Sequence, residues 1–351
     1  MKKFQVILYG AYGYTGELIA EELQSKNLRV LLSGRSESKL KELAQKTGFP
    51  YSTVNLNDKE SLLNLVLQGE VMIHAAGPFK QTAVAMVEAC LSAKTHYLDI
   101  NGDISVFEMI KPYGKQAEEA GIMLLPGTGF DVVPTDCVAM HLKNLMPDTV
   151  SIKIAFATQG GGISHGTATT VATRLGEPAQ RRVNGKLVPI PLGKNGLWVD
   201  FGSKQIFCMS IPWGDVSTAY TSTGIPNIES FMAVKPVVYK ALKFQSLVNW
   251  LLRTQVIRRL IQKNIDAKPK GPNLEQRKTG SALVWASVEN KHGEILSASI
   301  QTPESYDLTA KATVLIAEKI LNDRFTTGYQ TPAKAYSENL IFEISGATKL
   351  T

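Results

Sequence analysis

The sequence predicts an α/β fold in which a doubly wound parallel sheet is followed by a second, α+β domain with an antiparallel sheet. A short apolar run near the start, FQVILY, has the composition of a buried parallel strand and leads directly into a glycine-rich turn. Similar runs alternate with helical patterns as far as residue 125, which indicates crossover connections. Beyond residue 127, hairpin signals replace them. A chain of 351 residues is expected to form two domains.

The first strand, residues 4–9, and a helical pattern at residues 17–25 enclose three glycines with the spacing G-x-x-G-x-x-G. Glycine suits this turn because a side chain would keep the backbone N–H groups away from a pyrophosphate held at the positive end of the helix. The arrangement predicts a Rossmann-type dinucleotide-binding unit, and the alternative is an ordinary glycine turn. The cofactor-binding residues predicted here are Gly10, Tyr12, Gly13, Tyr14, Thr15 and Gly16.

The second strand, residues 28–33, is followed by Gly34, Arg35 and Ser36, with Lys39 about one helical turn later. An acidic residue at this point would bind the ribose hydroxyls of NAD, whereas a guanidinium, a hydroxyl and an ammonium group can bind a 2′-phosphate. We therefore predict NADP as the cofactor, bound by Arg35, Ser36 and Lys39. The alternative for the two cations is a solvated helix start, although the helix macrodipole slightly disfavours cations there.

The alternation of strands and helices continues towards residue 125. We predict strands at residues 51–56, 70–75, 96–100 and 122–125, a helix capped by Asn57, and further helices at residues 82–93 and 105–120. Ligands of such sheets lie beyond the carboxyl ends of the strands, so the turn after the fourth strand and the loop after the fifth should approach the nicotinamide. The residues predicted to bind the cofactor there are Ala76, Gly77, Pro78, Phe79, Asn101 and Gly102.

The second half of the chain has hairpin signals at Asn184-Gly185, at Gly202-Ser203 and at residues 291–293. A long helical pattern at residues 306–321 is predicted to pack back on the first domain. The expected organisation is an NADP-binding domain of residues 1–133 completed by a helix at about 305–335, a substrate or dimerisation domain of residues 134–304, and a C-terminal strand and tail at 336–351.

Composition indicates a folded protein of a reducing compartment. The apolar run after Met1-Lys2-Lys3 is short and ends in glycines, so it does not fit a signal peptide, and the chain has no apolar stretch of the ~18 residues that span a bilayer. The three cysteines are far apart and odd in number, which argues against a disulfide framework. A cytoplasmic location is the simplest expectation.

The positive charge is concentrated in one segment. Residues 235–278 contain eleven basic and two acidic residues, although the whole chain has a net charge of only +7. This basic segment is consistent with peripheral contact with a membrane, a pocket for an anionic substrate, a solvated face or a homodimer contact. The charges are poorly separated from the apolar residues on a helical projection, and no nucleic-acid-binding motif surrounds them. We expect a homodimer and no nucleic acid.

Two residues are candidates for catalysis. Asp131 lies on the loop after the sixth strand, where it can supply or accept a proton or cap a turn. His165 follows a run of glycines at the start of a helical pattern, so it can act as a general acid or contact an anionic substrate, or it can be a surface-loop histidine. Asp136 is predicted to cap a helix that starts at Cys137.

Other histidines and cysteines are given structural roles. His74 and His96 lie within predicted strands and are expected to be hydrogen-bonded core residues. Cys137 and His141 have a spacing that can chelate a metal on a helix, but two ligands do not form a zinc site. We predict no metal.

Several motifs resemble those of the saccharopine dehydrogenase-like oxidoreductases, in particular the branch that contains the trans-acting enoyl reductases. They are GAYGYTG, HAAGPF, THYLDINGD, GTGFDVVPTD, GGGISHGT, TPESYDLTA and GYQTPAKAY. The resemblance implies a Rossmann domain, a nicotinamide cofactor, and hydride transfer to or from a C=N or enoyl C=C bond of a small or acyl-linked anionic substrate. Departures at His74, Asn101 and His165, where the family more often has other residues, leave the substrate open.

Two alternatives to such an enzyme remain. One is a non-catalytic NADP-binding protein that senses redox state or scaffolds a partner, because no catalytic base is evident from the sequence. The other is a membrane-associated lipid-modifying enoyl reductase, which would bind vesicles that contain anionic lipid.

Overall fold

The computed structural model describes residues 2–160, 162–173, 176–243, 249–252, 254–267 and 269–349. The chain divides into two compact units. The first consists of Met1–Val133 with Tyr306–Tyr336, and the second of Pro134–Ser305 with Ser337–Thr351.

The first unit contains a seven-stranded parallel sheet, so the predicted doubly wound fold is confirmed. Its strands, numbered along the chain, are β1 Phe4–Tyr9, β2 Val30–Gly34, β3 Tyr51–Thr53, β4 Gly69–His74, β5 His96–Asp99, β6 Met123–Leu125 and β15 Gly328–Tyr329. Their order in the sheet is β15-β6-β5-β4-β1-β2-β3. The strand order reverses at β1, where β1 pairs with β2 on one side and with β4 on the other. A crevice for a ligand is expected at such a reversal.

Helices complete the first unit. They are α1 Tyr14–Ser25, α2 Glu37–Thr47, α3 Lys59–Val66, α4 Phe79–Ala93, α5 Ile104–Ile110, α6 Gly114–Ala120, α14 Ser305–Leu321 and α15 Pro332–Tyr336. Helix α4 shows why they pack on the sheet: Ala83, Met86, Val87 and Cys90 are spaced to lie on one face, and all four are buried. This face joins a core that includes residues of β1, β4 and β5.

Two local predictions for the first unit are wrong, and one strand of its sheet was not predicted. The single helix expected at 105–120 is two helices, because Pro112 falls in a 3-10 turn, Lys111–Tyr113, between them. The cap of α3 is Asp58 rather than Asn57, since the Asp58 carboxylate accepts a hydrogen bond from the Ser61 N–H. The sequence also missed β15, whose two residues are too few to show a periodic pattern.

The second unit contains a nine-stranded mixed sheet. Its strands are β7 Thr149–Gln159, β8 Ala179–Val183, β9 Lys186–Ile190, β10 Gly196–Asp200, β11 Gln205–Ile211, β12 Asn227–Ala233, β13 Ser281–Asn290, β14 Ile295–Pro303 and β16 Thr348–Lys349. Its helices are α7 Val133–Leu145, α8 His165–Thr173, α9 Asp215–Thr223, α10 Pro236–Lys243, α11 Asn249–Leu252, α12 Gln255–Asp266 and α13 Leu274–Thr279. None of the described helices is both long and apolar enough to cross a membrane.

The strand pairing within this sheet confirms the three predicted hairpins. It also shows one parallel pair. The pairs β8–β9, β10–β11 and β13–β14 are antiparallel, as the turn signals predict. The pair β12–β7 is parallel, so the sheet is mixed rather than purely antiparallel. Helix α7 starts at Val133, because Pro134 is tolerated in the first turn, so Asp136 lies inside the helix and does not cap it.

Candidate functional site

The glycine-rich turn connects β1 to α1. Gly10 has φ +84°, and a Cβ atom there would lie 2.7 Å from the backbone of Ala75 and Ala76, so only glycine fits. A Cβ at Gly16 would collide with the Gly10 carbonyl oxygen. Gly13 precedes α1 with φ −70° and ψ 159°, and its Cβ would lie 3.2 Å from that oxygen. Gly10 and Gly16 therefore shape the turn, whereas Gly13 keeps the helix start free of a side chain.

Tyr12 links this turn to the end of β2. A Cβ at Gly34 would lie 2.6 Å from the Tyr12 ring, so glycine lets the ring lie close to the strand end. The Arg35 N–H donates a hydrogen bond to the Tyr12 hydroxyl at 3.2 Å, and Lys39 Nζ lies 5.6 Å from the ring centroid. Ser36 precedes α2 as its N-cap residue. The structure thus gathers Tyr12, Arg35, Ser36 and Lys39 at one strand end, with both cationic side chains exposed.

Residues 76–79 form the turn that leads from β4 into α4. Gly77 and Pro78 are exposed, while Ala76 and Phe79 are half-buried. The Phe79 ring meets the buried His74 ring edge-on, with centroids 5.2 Å apart. Because Gly10 packs against Ala75 and Ala76, this turn and the glycine-rich turn lie side by side.

The loop after β5 meets the loop after β6. A Cβ at Gly102 would collide with the Asp131 carboxylate, so the two loops are in direct contact. Asn101 uses its side chain within its own loop: the amide donates to Asp99 Oδ1 at 2.7 Å, and its oxygen accepts from the Asp103 N–H at 2.9 Å. Burial raises the pKa of Asp131 to about 7, which places its titration at physiological pH.

Helix α14 holds the loop that carries Asp131. The Thr309 hydroxyl accepts a hydrogen bond from the Phe130 N–H at 3.0 Å. The rings of Tyr14 and Tyr306 meet edge-on, with centroids 5.0 Å apart, at the start of α1, next to the half-buried Thr15. Sequence reasoning missed Tyr306 and Thr309, although both lie in the motif TPESYDLTA.

His165 belongs to the second unit and is the first residue of α8. Its Nε2 lies 2.7 Å from Asp266 Oδ1 on α12, and both side chains are exposed. Hydrogen bonds from Gln262 and then from His165 lower the pKa of Asp266. A cleft of about 230 Å³ lies beside them, with Ile163, Ala168, Val171, Ala172, Ile261 and Ile265 among its lining residues. Asp131 lies in the first unit, so its convergence with His165 stays a prediction.

The basic segment is only partly described. Residues 244–248, 253 and 268 lie outside the described part, and so does Gly161 of the motif around His165. Within α12, Ile261 and Ile265 line the cleft with residues of α8, whereas Arg259, Leu260 and Lys263 are exposed. Packing on α8 therefore accounts for much of the apolar pattern of α12.

A doubly wound parallel sheet with a glycine-rich first turn, and with cationic residues after β2, defines a dinucleotide-binding class of protein. Residues 6–125 match the family described as Saccharopine dehydrogenase NADP binding domain. The first unit therefore carries a nicotinamide-nucleotide-binding domain of this family, and the resemblance of the sequence motifs is confirmed.

Three relatives illustrate the similarity. A 157-residue match to the Lipid droplet localized protein of Caenorhabditis elegans is 34% identical and covers 41% of this chain and 37% of that protein. A 149-residue match to the Trans-acting enoyl reductase of Mycobacterium ulcerans is 30% identical and covers 40% of this chain and 36% of that protein. An alignment over 409 positions with the Saccharopine dehydrogenase-like oxidoreductase of Bos taurus is 22% identical and covers 97% of this chain and 95% of that protein. The first two matches span little more than a third of those relatives.

One solved structure shows the same fold over nearly the whole chain. It is the apo histidine-tagged saccharopine dehydrogenase (L-Glu forming) from Saccharomyces cerevisiae, with a TM-score of 0.67 at 12% identity, covering 97% of this chain and 96% of that chain. Over nearly its whole length the chain is thus similar in sequence to a saccharopine dehydrogenase-like oxidoreductase and shares the fold of a saccharopine dehydrogenase.

Proposed function

We propose that this chain is an NADP(H)-dependent oxidoreductase that transfers hydride to or from a C=N or enoyl C=C bond of a small or acyl-linked anionic substrate. The observation that carries the proposal is the cluster of Tyr12, Arg35 and Lys39 beside the glycine-rich turn. The family match of residues 6–125 supports a nicotinamide nucleotide, and the name of the M. ulcerans relative supports an enoyl substrate.

The residues of the first unit fit such a cofactor. The turn around Gly13 leaves room for a pyrophosphate at the start of α1, and the exposed Arg35 and Lys39 offer positive charge to a 2′-phosphate. The bound cofactor would supply the hydride. The chain's own residues would orient it: those at 76–79 and the loops at Gly102 and Asp131 lie along the carboxyl edge of the sheet, where the nicotinamide of such proteins lies.

Arg35→Asp tests the preference for NADP. The change removes a charged hydrogen bond and adds repulsion, so NADPH binding should weaken by about 2–4 kcal/mol while NADH binding changes much less. Titration calorimetry with both nucleotides measures this difference.

Lys41→Asp is the matched control, because Lys41 is an exposed cation on the same helix that lies outside the Tyr12 cluster. It should leave the ratio of the two affinities nearly unchanged. Equal affinity of the wild-type protein for NADH and NADPH would contradict the proposed preference.

Asp131 favours a catalytic role of the protein over a role as a non-catalytic sensor. A carboxyl group with a pKa of about 7 can donate or accept a proton at physiological pH, and such groups are concentrated at active sites. Loss of NADPH absorbance on addition of an enoyl thioester, or of an imine formed from an amino acid and a keto acid, would demonstrate turnover. Tight NADPH binding with neither substrate class consumed would favour the sensor.

Peripheral membrane contact is a second candidate function of the basic segment. Val237 of α10, Trp250 of α11 and Leu260 of α12 are 70%, 72% and 57% exposed, and α10 and α12 also carry lysine or arginine residues. The name of the C. elegans relative is in keeping with such contact. Co-sedimentation with vesicles that contain anionic lipid, compared with neutral vesicles at moderate salt, tests it. Binding to neither would exclude it.

A further inference from the structure

Three fully buried polar side chains form a hydrogen-bonded row at the carboxyl ends of β4 and β5. His74 Nε2 lies 3.1 Å from the Ala76 carbonyl oxygen, and His74 Nδ1 lies 3.2 Å from the Tyr97 hydroxyl. The Tyr97 hydroxyl lies 2.7 Å from Asp99 Oδ2. The other carboxylate oxygen, Asp99 Oδ1, accepts from the backbone N–H groups of Asn101 and Gly127 and from the Asn101 amide.

The acceptors and donors of this row allow only two arrangements of its protons. A carbonyl oxygen only accepts, so His74 Nε2 must carry a proton. Tyr97 has one proton and can donate either to Asp99 or to His74. If it donates to Asp99, His74 Nδ1 must also be protonated, and the row contains an imidazolium and a carboxylate. If it donates to His74, Asp99 must donate a proton to Tyr97, and the row is uncharged. The two arrangements contain the same protons and differ in their positions.

Burial decides between the two arrangements. Both end groups are fully buried, and separated charges are costly in such surroundings. Burial lowers the pKa of His74 to about 3 and raises the pKa of Asp99, so each group favours its neutral form. The titratable neighbours are neutral as well: burial raises the pKa of Tyr9 on β1 to about 12 and that of Cys90 on α4 still further.

We infer that Asp99 carries a proton and forms, through Tyr97 and His74, an uncharged clamp that fixes the turn at Ala76 relative to the backbone at Asn101 and Gly127. The clamp joins the carboxyl ends of β4, β5 and β6. Because the row ends on a backbone carbonyl, it passes no proton to a ligand, and its three members are positioning residues. Their effect on the nicotinamide site rests on the proposed function.

The proton position can be read without a cofactor. In the infrared difference spectrum between wild type and Asp99→Asn, we expect the carbonyl band of a protonated carboxylic acid at neutral pH. In ¹⁵N NMR spectra, His74 should be a neutral imidazole protonated at Nε2. An imidazolium at His74, or the absence of the protonated carboxyl band, would overturn the inference.

Substitutions at positions 97 and 99 distinguish the uncharged clamp from a row that contains an ion pair. Asn at position 99 keeps the shape of a protonated carboxyl group and donates to Tyr97, so Asp99→Asn should change the Kd for NADPH by less than about threefold, whereas an ion pair would make this variant the weakest binder. Tyr97→Phe breaks the row and should raise the Kd for NADPH about tenfold or more. Tyr113→Phe, which removes an exposed tyrosine hydroxyl of the same unit, is the control and should have no effect.

Amide exchange provides a measurement that is independent of the cofactor. Asp99→Val should speed exchange of the Gly127 N–H, whereas Asp99→Asn should leave it slow. Wild-type Kd values in Tyr97→Phe together with unchanged exchange in Asp99→Val would overturn the clamp. If the wild-type protein binds no nicotinamide nucleotide, the proposed function fails, and the clamp is then judged by the spectra and by the exchange of Gly127.

Discussion

Asp131 acquires its chemistry from its surroundings. It is half-buried against Gly102, and burial raises its pKa to about 7. At neutral pH the protonated and ionised forms are therefore both populated. This is the condition in which a carboxyl group serves best as a general acid or base.

Asp131→Asn should lower turnover by about tenfold or more, which is about 1.4 kcal/mol of transition-state stabilisation, with NADPH affinity nearly unchanged. The wild-type rate should change with pH near 7, and the variant should lose that step. Steady-state kinetics across pH 5–9 measure both effects. Asp323→Asn is the control, because Asp323 is exposed and has a positive φ that asparagine tolerates. A rate that is equal in wild type and Asp131→Asn would rule out this role.

The same carboxyl group affects stability with a definite sign. Its pKa in the folded state lies above its unfolded value of 3.8, so its contribution to stability is fully present below about pH 4 and is lost as the pH rises through 7. The free energy of unfolding of the wild type should therefore fall by at most about 4 kcal/mol between these pH values because of this group. In Asp131→Asn this fall should be absent. Urea unfolding at pH 4 and pH 8 would show it.

Glycine is required at positions 10 and 13 for different physical reasons. Gly13 has φ −70°, which any residue can adopt, so Gly13→Val should fold, lose about 1 kcal/mol at the helix cap and fail to bind either nucleotide. Gly10→Ala combines φ +84° with a backbone contact of 2.7 Å and should unfold at a lower temperature. Thermal melts with nucleotide titrations separate the two effects. Retained NADPH binding in folded Gly13→Val would show that the turn is structural only.

At the scale of elements, α8 and α12 together present His165. The hydrogen bond to Asp266 on α12 orients the imidazole, as a carboxylate does for many functional histidines. We expect His165→Ala to lower turnover about tenfold or more and to leave the Kd for NADPH nearly unchanged. His292→Ala, at an exposed hairpin histidine, should change neither quantity. Unchanged turnover in His165→Ala would show that the proton comes from elsewhere.

At the scale of the whole molecule, the first unit is completed by a distant part of the chain. β15 extends the sheet through the hydrogen bonds of the Gly328 and Gln330 N–H groups, and α14 binds the loop at residues 128–130 through Thr309 and Thr313. Residues 1–133 alone therefore have an incomplete sheet and an unsupported loop.

We expect residues 1–133 alone to be poorly folded, and a chain that joins residues 1–133 to 306–336 by a flexible linker to unfold cooperatively. Circular dichroism melts of the two chains make the comparison. A cooperative transition of equal midpoint in both would show that the C-terminal segment is dispensable for the unit.

The sequence by itself determined the features that are encoded locally. Apolar runs and glycine spacing predicted β1 to β6 and the glycine-rich turn, and the dipeptides Asn184-Gly185 and Gly202-Ser203 predicted their hairpins, because turn chemistry and side-chain periodicity act over a few residues. Since parallel strands carry ligands at their carboxyl ends, the candidate cofactor residues could also be named.

Only the tertiary structure decided which distant segments meet. The parallel pairing of β12 with β7, the addition of β15 to the first sheet and the contact of α14 with the Asp131 loop join parts of the chain that share no local pattern. The pKa of Asp131 and the state of the row through Asp99 depend on the burial of these groups in the folded chain. Desolvation is a property of the packed surroundings of a group, so no reading of its sequence neighbours could have supplied it.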